Sequence, residues 1–136
     1  MRVMAIDYGD QRIGLAVSDL LGMLAGEAWT MQEWNMERAS LRIAEEAKKR
    51  EVGTLVLGLP KNMDGTEGES AQRARAFAET LTELTGVETV MQDERGTTIT
   101  AHNFLNETNT RGKKRKNAVD AVAATIILQD FLDSRR

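Results

Sequence analysis

The chain has 136 residues, 41% apolar and 29% charged, with 18 Lys and Arg against 21 Asp and Glu for a net charge of −3. That length suits one domain over 1–136, able to bury about two-thirds of its unfolded surface without a disulfide or metal staple. With no cysteine and a single histidine, thiol nucleophiles, thiolate zinc sites and clusters of histidine ligands are excluded, and no run reaches the ~18–20 apolar residues of a membrane span.

The N-terminus has no signal-peptide layout, so a cytoplasmic setting without membrane contact is expected. Val3-Met4-Ala5-Ile6 predicts a buried strand closed at Asp7 by the turn Tyr8-Gly9-Asp10-Gln11. Ile13, Leu15 and Val17 alternate with Gly14, Ala16 and Ser18, the period of a second strand pairing back as a hairpin. A third strand is expected near Glu27–Met31, after the turn signals Gly22 and Gly26. Asn35 can cap a helix with the apolar stripe Ala39, Ile43, Ala44 and Ala47, ending in Lys48-Lys49-Arg50, where cations suit the dipole.

Thr54-Leu55-Val56-Leu57 predicts a fourth strand, stopped by Gly58 and Pro60. The loop Lys61–Thr66 leads into a helix with Ala71, Ala74, Phe77, Ala78, Leu81 and Leu84 on one face, ended by Gly86. Val87–Met91 is the last strand and runs into Asp93-Glu94-Arg95; helices over about Thr98–Leu105 and Ala118–Leu132 close the chain. The order β-β-β-α-β-α-β-α-α implies an α/β fold with a five-stranded mixed sheet and helices on both faces. Right-handed crossovers then put the first strand at the centre, with the hairpin strands on one side and the parallel strands on the other.

Three carboxylates stand out on this frame. Asp7 ends the central strand, where an ionised side chain costs several kcal/mol unless it is paired, metal-bound or turned to water. Asp93 and Glu94 follow the last strand at its carboxyl end, where open α/β sheets collect ligands. Being adjacent, only one of them can face Asp7. Asp120 falls third in a helix if Asn117 is its cap, a place the dipole alone favours, yet it borders the apolar stripe and can face the sheet. Acids from three elements meeting at one sheet end suggest a hard-cation site for Mg²⁺ or Mn²⁺, with two ions for phosphodiester hydrolysis. The run Arg111-Gly112-Lys113-Lys114-Arg115-Lys116 lacks any acid and reads either as a solvated loop or as a grip on a polyanionic backbone.

Asp7-Tyr8-Gly9-x-x-Arg12-Ile13-Gly14, Gly58-Leu59-Pro60-x-Asn62-Met63-Asp64-Gly65, Asp93-Glu94-Arg95-x-Thr97-Thr98 and Asp120-x-x-Ala123-Ala124 together resemble the YqgF/RuvX family, over essentially the whole chain. The resemblance implies a ribonuclease H-like fold and a metal-dependent nuclease, acting on the 5′ end of precursor 16S rRNA or resolving Holliday junctions in branched DNA. It carries the catalytic, metal-binding acids onto Asp7, Glu94 and Asp120. Contacts to nucleic acid are expected from Arg12, Lys61, Asn62, Arg95, Thr97, Thr98, Lys113, Lys114, Arg115 and Lys116. Arg12 has a competing role as ion-pair partner of Asp19 or Asp93. Gly96 departs from the leucine common in the family and loosens the loop after Glu94.

Three expectations have plainer alternatives. His102 is more simply a helix residue, and Trp29 and Trp34 are more simply hydrophobic anchors than bases' stacking partners. Asp7-x-Gly9-x-x-x-x-Gly14 also resembles the phosphate-binding turn of sugar kinases and actin-like ATPases, which need two such lobes. A nucleic-acid-binding module with a dead site is the other alternative, disfavoured by retention of all three acids. A homodimer would suit a symmetric four-way junction.

Overall fold

The computed structural model describes residues 1–9, 12–93 and 112–135, the stretch 112–117 by its backbone alone. Three antiparallel-linked strands come first: β1 (Arg2–Tyr8), β2 (Arg12–Ser18) and β3 (Ala25–Gln32). Then follow α1 (Met36–Lys49), β4 (Val52–Leu59), α2 (Glu69–Thr85), β5 (Glu88–Asp93) and a long helix, α3 (Gly112–Ser134). The sheet order is β3-β2-β1-β4-β5, with β1 central, antiparallel to β2 and parallel to β4. This is the order that the crossover rule predicts. The expected helix over Thr98–Leu105 lies outside the described residues.

Side-chain alternation sorts the central strand between two layers. Met4 and Ile6 join Ile13, Leu15, Leu55 and Leu57 in a core with α1 and α2. Val3 and Ala5 join Ala16 and Val56 in a second core beneath Ala124, Ile127, Leu128 and Phe131 of α3. Tyr8 stays on the first face, its ring stacked 4.3 Å from that of Phe77. Asp7, between them, falls on the α3 face.

Local chemistry explains most boundaries. The Asn35 side chain accepts from the Arg38 N–H at 2.9 Å and starts α1. Gly86 ends α2 in a left-handed conformation, φ 70°, that costs glycine nothing. Strands run longer than the apolar runs alone indicate. β1 continues through Asp7 and β4 through Gly58, because ladder pairing to a neighbour, not apolar composition, decides where a strand stops. Ala44 and Leu84 leave the buried stripes; Leu84 is exposed near the end of α2.

The last helix corrects the sequence reading most. It begins at Gly112, not near Ala118, so Asn117 caps nothing and the basic run occupies its first turns. Lys and Arg are good helix formers and no proline interrupts them, so the helix propagates back through the charges.

Candidate active site

Asp7 sits on the central strand one residue from its carboxyl end, and its cross-strand partner is Gly14 of β2. A Cβ at Gly14 would overlap the carbonyl oxygen and carbonyl carbon of Asp120. Only a glycine lets the α3 backbone come that close to the sheet. The helix therefore seats against β2 at Asp120, beside the strand position that faces Asp7. Gly14 was not among the residues singled out by sequence for the site. Its signal was a glycine inside an otherwise regular apolar alternation.

The two carboxylates share one electrostatic environment. Burial raises the Asp7 pKa from 3.8 to about 7, and the nearby charge of Asp120 adds to the effect. Asp120 accepts from Arg12 Nε at 2.9 Å, with side-chain exposures of 18% and 36% respectively. Arg12 thus pairs with neither Asp19 nor Asp93. It begins β2 on the face shared with Gly14, and α3 brings Asp120 to it across the sheet. Asp120 itself lies in the third turn of α3, so helix capping does not account for it.

Strand register also separates Asp93 from Glu94. Gln92 pairs with Gly58 and donates from Nε2 to the Ile127 carbonyl of α3 at 3.1 Å. Asp93, the next residue, is exposed on the opposite face from Asp7. Glu94, Arg95, Thr97 and Thr98, with Gly96 and His102, lie outside the described residues. Among the described residues no group of three acidic or histidine side chains forms a metal cluster. The described part of the site is a pair of carboxylates with one guanidinium.

Lys61 and Asn62 follow β4 at the same sheet end. Asn62 is engaged in its own turn: its N–H donates to the Thr66 carbonyl at 2.8 Å and Nδ2 to Thr66 Oγ1 at 2.9 Å. A backbone β-bridge joins Lys61 to Glu67, whose carboxylate accepts from Arg75 at 2.8 Å through both oxygens. Both Arg75 and Lys61 keep that carboxyl below its ordinary pKa. Lys113, Lys114, Arg115 and Lys116 stand on the α3 backbone in the two turns that precede Asp120. Trp29 lies under Arg50, 4.5 Å from its guanidinium carbon, an anchor as expected. Trp34 is 71% exposed and anchors nothing.

The model of the family described as "RuvX: Holliday junction resolvase" matches residues 1–134. The chain belongs to the RuvX family. It is 43% identical to a protein of Halalkalibacterium halodurans named "Putative pre-16S rRNA nuclease", across 100% of this chain and 99% of that protein. A protein of the same name from Endomicrobium trichonymphae is also 43% identical, covering 97% of this chain and 95% of the other. Among solved structures, RuvC of Thermus thermophilus superposes with a TM-score of 0.61 at 15% identity, over 99% of this chain and 96% of that one. The RuvX chain thus has the ribonuclease H-like fold that the motifs imply. No helix of its described residues is long and apolar enough to cross a membrane.

A divalent cation suits the donor set. The candidate ligands are carboxylate oxygens, the hard donors that Mg²⁺ and Mn²⁺ prefer. A carboxyl held neutral to about pH 7 by burial and a like charge is a group that gains most from a cation placed between it and its neighbour.

Proposed function

We propose that this RuvX chain is a divalent-metal-dependent endonuclease whose substrate is the 5′ region of precursor 16S rRNA. The observation that carries the reading is the approach of Asp120 to Asp7 through the space left at Gly14. Asp7, Asp120 and Glu94 would hold Mg²⁺ or Mn²⁺, two ions in the full site. Asp93 points away from Asp7, which supports its neighbour Glu94 as the acid of that segment. When bound, the metal would neutralise charge on the phosphate and lower the pKa of the attacking water.

The chain's own residues supply the rest. Asp7, on the rigid central strand, fixes the position of the site. Arg12 holds Asp120 through Nε and keeps further N–H donors for a phosphate oxygen. Lys113, Lys114, Arg115 and Lys116 would add sequence-independent backbone contacts, and Arg95, Thr97, Thr98, Lys61 and Asn62 would add others. Hydrolysis breaks one P–O bond and leaves a phosphate on one product end and a hydroxyl on the other. No protein group is required as a base.

A second reading, resolution of branched DNA, is favoured by the family's description and by the fold shared with RuvC; a homodimer belongs to that reading. A matched cleavage panel separates the two: the 16S precursor leader, single-stranded DNA and a four-way DNA junction, in Mg²⁺ and in Mn²⁺. The leader is expected to be cut only with metal, and not by Asp120→Asn. Cleavage of the junction with the leader untouched selects the second reading. Equal cleavage by Asp120→Asn removes the site from both.

A further inference from the structure

Trp34 is the only exposed aromatic ring among the described residues. It directly precedes Asn35, the cap of α1. An apolar side chain in that place ordinarily packs on the fourth helical residue and fixes the chain's entry into the helix. That residue is Ala39, which is buried in the core cluster that Trp34 does not join. Folding therefore leaves the indole faces in water.

The backbone of Trp34 lies near the site's edge. β3 ends at Gln32, the cross-strand partner of Arg12, and Arg12 is bonded to Asp120. Trp34 follows two residues later, at most about 7 Å of backbone away. Exposed Arg38 and Arg42 stand beside it and share the carboxylate of Glu33 at 3.7 and 3.4 Å, with Glu37 exposed in the same first turn of α1. A groove of about 610 Å³ runs between this strand and α3, lined by Thr30, Gln32 and Arg42 on one side and by Ala118 and Ala121 on the other. It joins Arg42 to the turn of α3 that carries Asp120.

We propose that Trp34, with Arg38 and Arg42, forms a subsite that stacks an unpaired nucleobase of the strand being cut and holds the adjoining phosphates. This rests on the nuclease reading and adds a substrate class to it: a strand that is single or splayed beside the scissile bond. A duplex keeps its bases stacked on one another and offers the ring no free face. Every base has a π-face, so the subsite selects strandedness rather than sequence.

The test measures binding of a labelled single-stranded RNA and of the blunt duplex containing it, in Mg²⁺ and in an Asp7→Asn background that prevents cleavage. Trp34→Ala and Trp34→Leu are expected to weaken single-strand binding roughly 5- to 150-fold, the range of one lost base stack. Trp34→Phe keeps most of it, and duplex binding stays level in all three. In a Trp29→Phe variant the remaining indole emission is quenched by the single strand. Unchanged single-strand binding by Trp34→Ala overturns the subsite alone. Equal losses for strand and duplex, or equal affinity of the Leu and Phe variants, overturn stacking. Failure of the protein with Trp34 intact to bind either RNA overturns the precursor-rRNA reading with it.

Discussion

At Gly14 one missing side chain decides where two elements meet. A methyl group there would overlap the Asp120 carbonyl and push α3 off β2. Gly14→Ala is expected to destabilise the fold by about 1–3 kcal/mol and to cut activity sharply, although it removes no functional group. Denaturant unfolding and cleavage assays on one preparation check this. Asp7 makes the complementary prediction. Its carboxyl has a pKa of about 7 in the fold against 3.8 ordinarily, so the folded chain binds the extra proton. Stability from this group is therefore full below about pH 4 and lost as pH rises through 7. Asp7→Asn, measured in chelator, should match wild type near pH 4 and exceed it by a few kcal/mol at pH 8. The same variant should lose metal-dependent cleavage by at least about 100-fold. Asp7 was visible in the sequence as an acid ending an apolar run. The partner of Arg12 was not, because Asp120 is 108 residues away and local acids offered nearer guesses.

Strands and helices were legible to different degrees. Strand order followed from two hairpin links and two crossovers, which chain geometry constrains tightly. The start of α3 did not, because Gly112 resembled a loop and Asn117 a cap. That error concealed an opposition: Lys113, Lys114, Arg115 and Lys116 occupy the first turns of a helix with no acid in its first turn, where cations work against the dipole. A run that opposes its own helix is better explained by a polyanion than by folding. Changing all four to Gln should leave or raise the melting temperature and weaken substrate binding. If all four touch phosphates, the salt dependence of binding to a single strand should flatten by up to about 3 in log–log slope. Strand alternation gives β5 its own prediction: Asp93→Asn should cleave like wild type and Glu94→Gln should not, compared at equal protein concentration.

Across the whole molecule, the sheet has its two apolar cores on opposite faces and its polar chemistry at one end. The carboxyl ends of β1, β4 and β5, the entry of β2 and the exit of β3 all open there, and α3 crosses that end with Asp120. Which end carries the site was inferable from composition, because Asp7, Asp93 and Glu94 all follow apolar runs. How closely the helix approaches was not, since it depends on contact between backbones rather than on residue type. Asp7 links the parts: burial raises its pKa to about 7, and in the proposed function its carboxylate is a ligand of the cation. Calorimetric titration of Mn²⁺ into the full chain at pH 6 and pH 8 tests this most directly. Saturable binding should be tighter at pH 8 and accompanied by proton release, and absent from Asp7→Asn. Binding that Asp7→Asn retains, with the same pH dependence, would contradict the account.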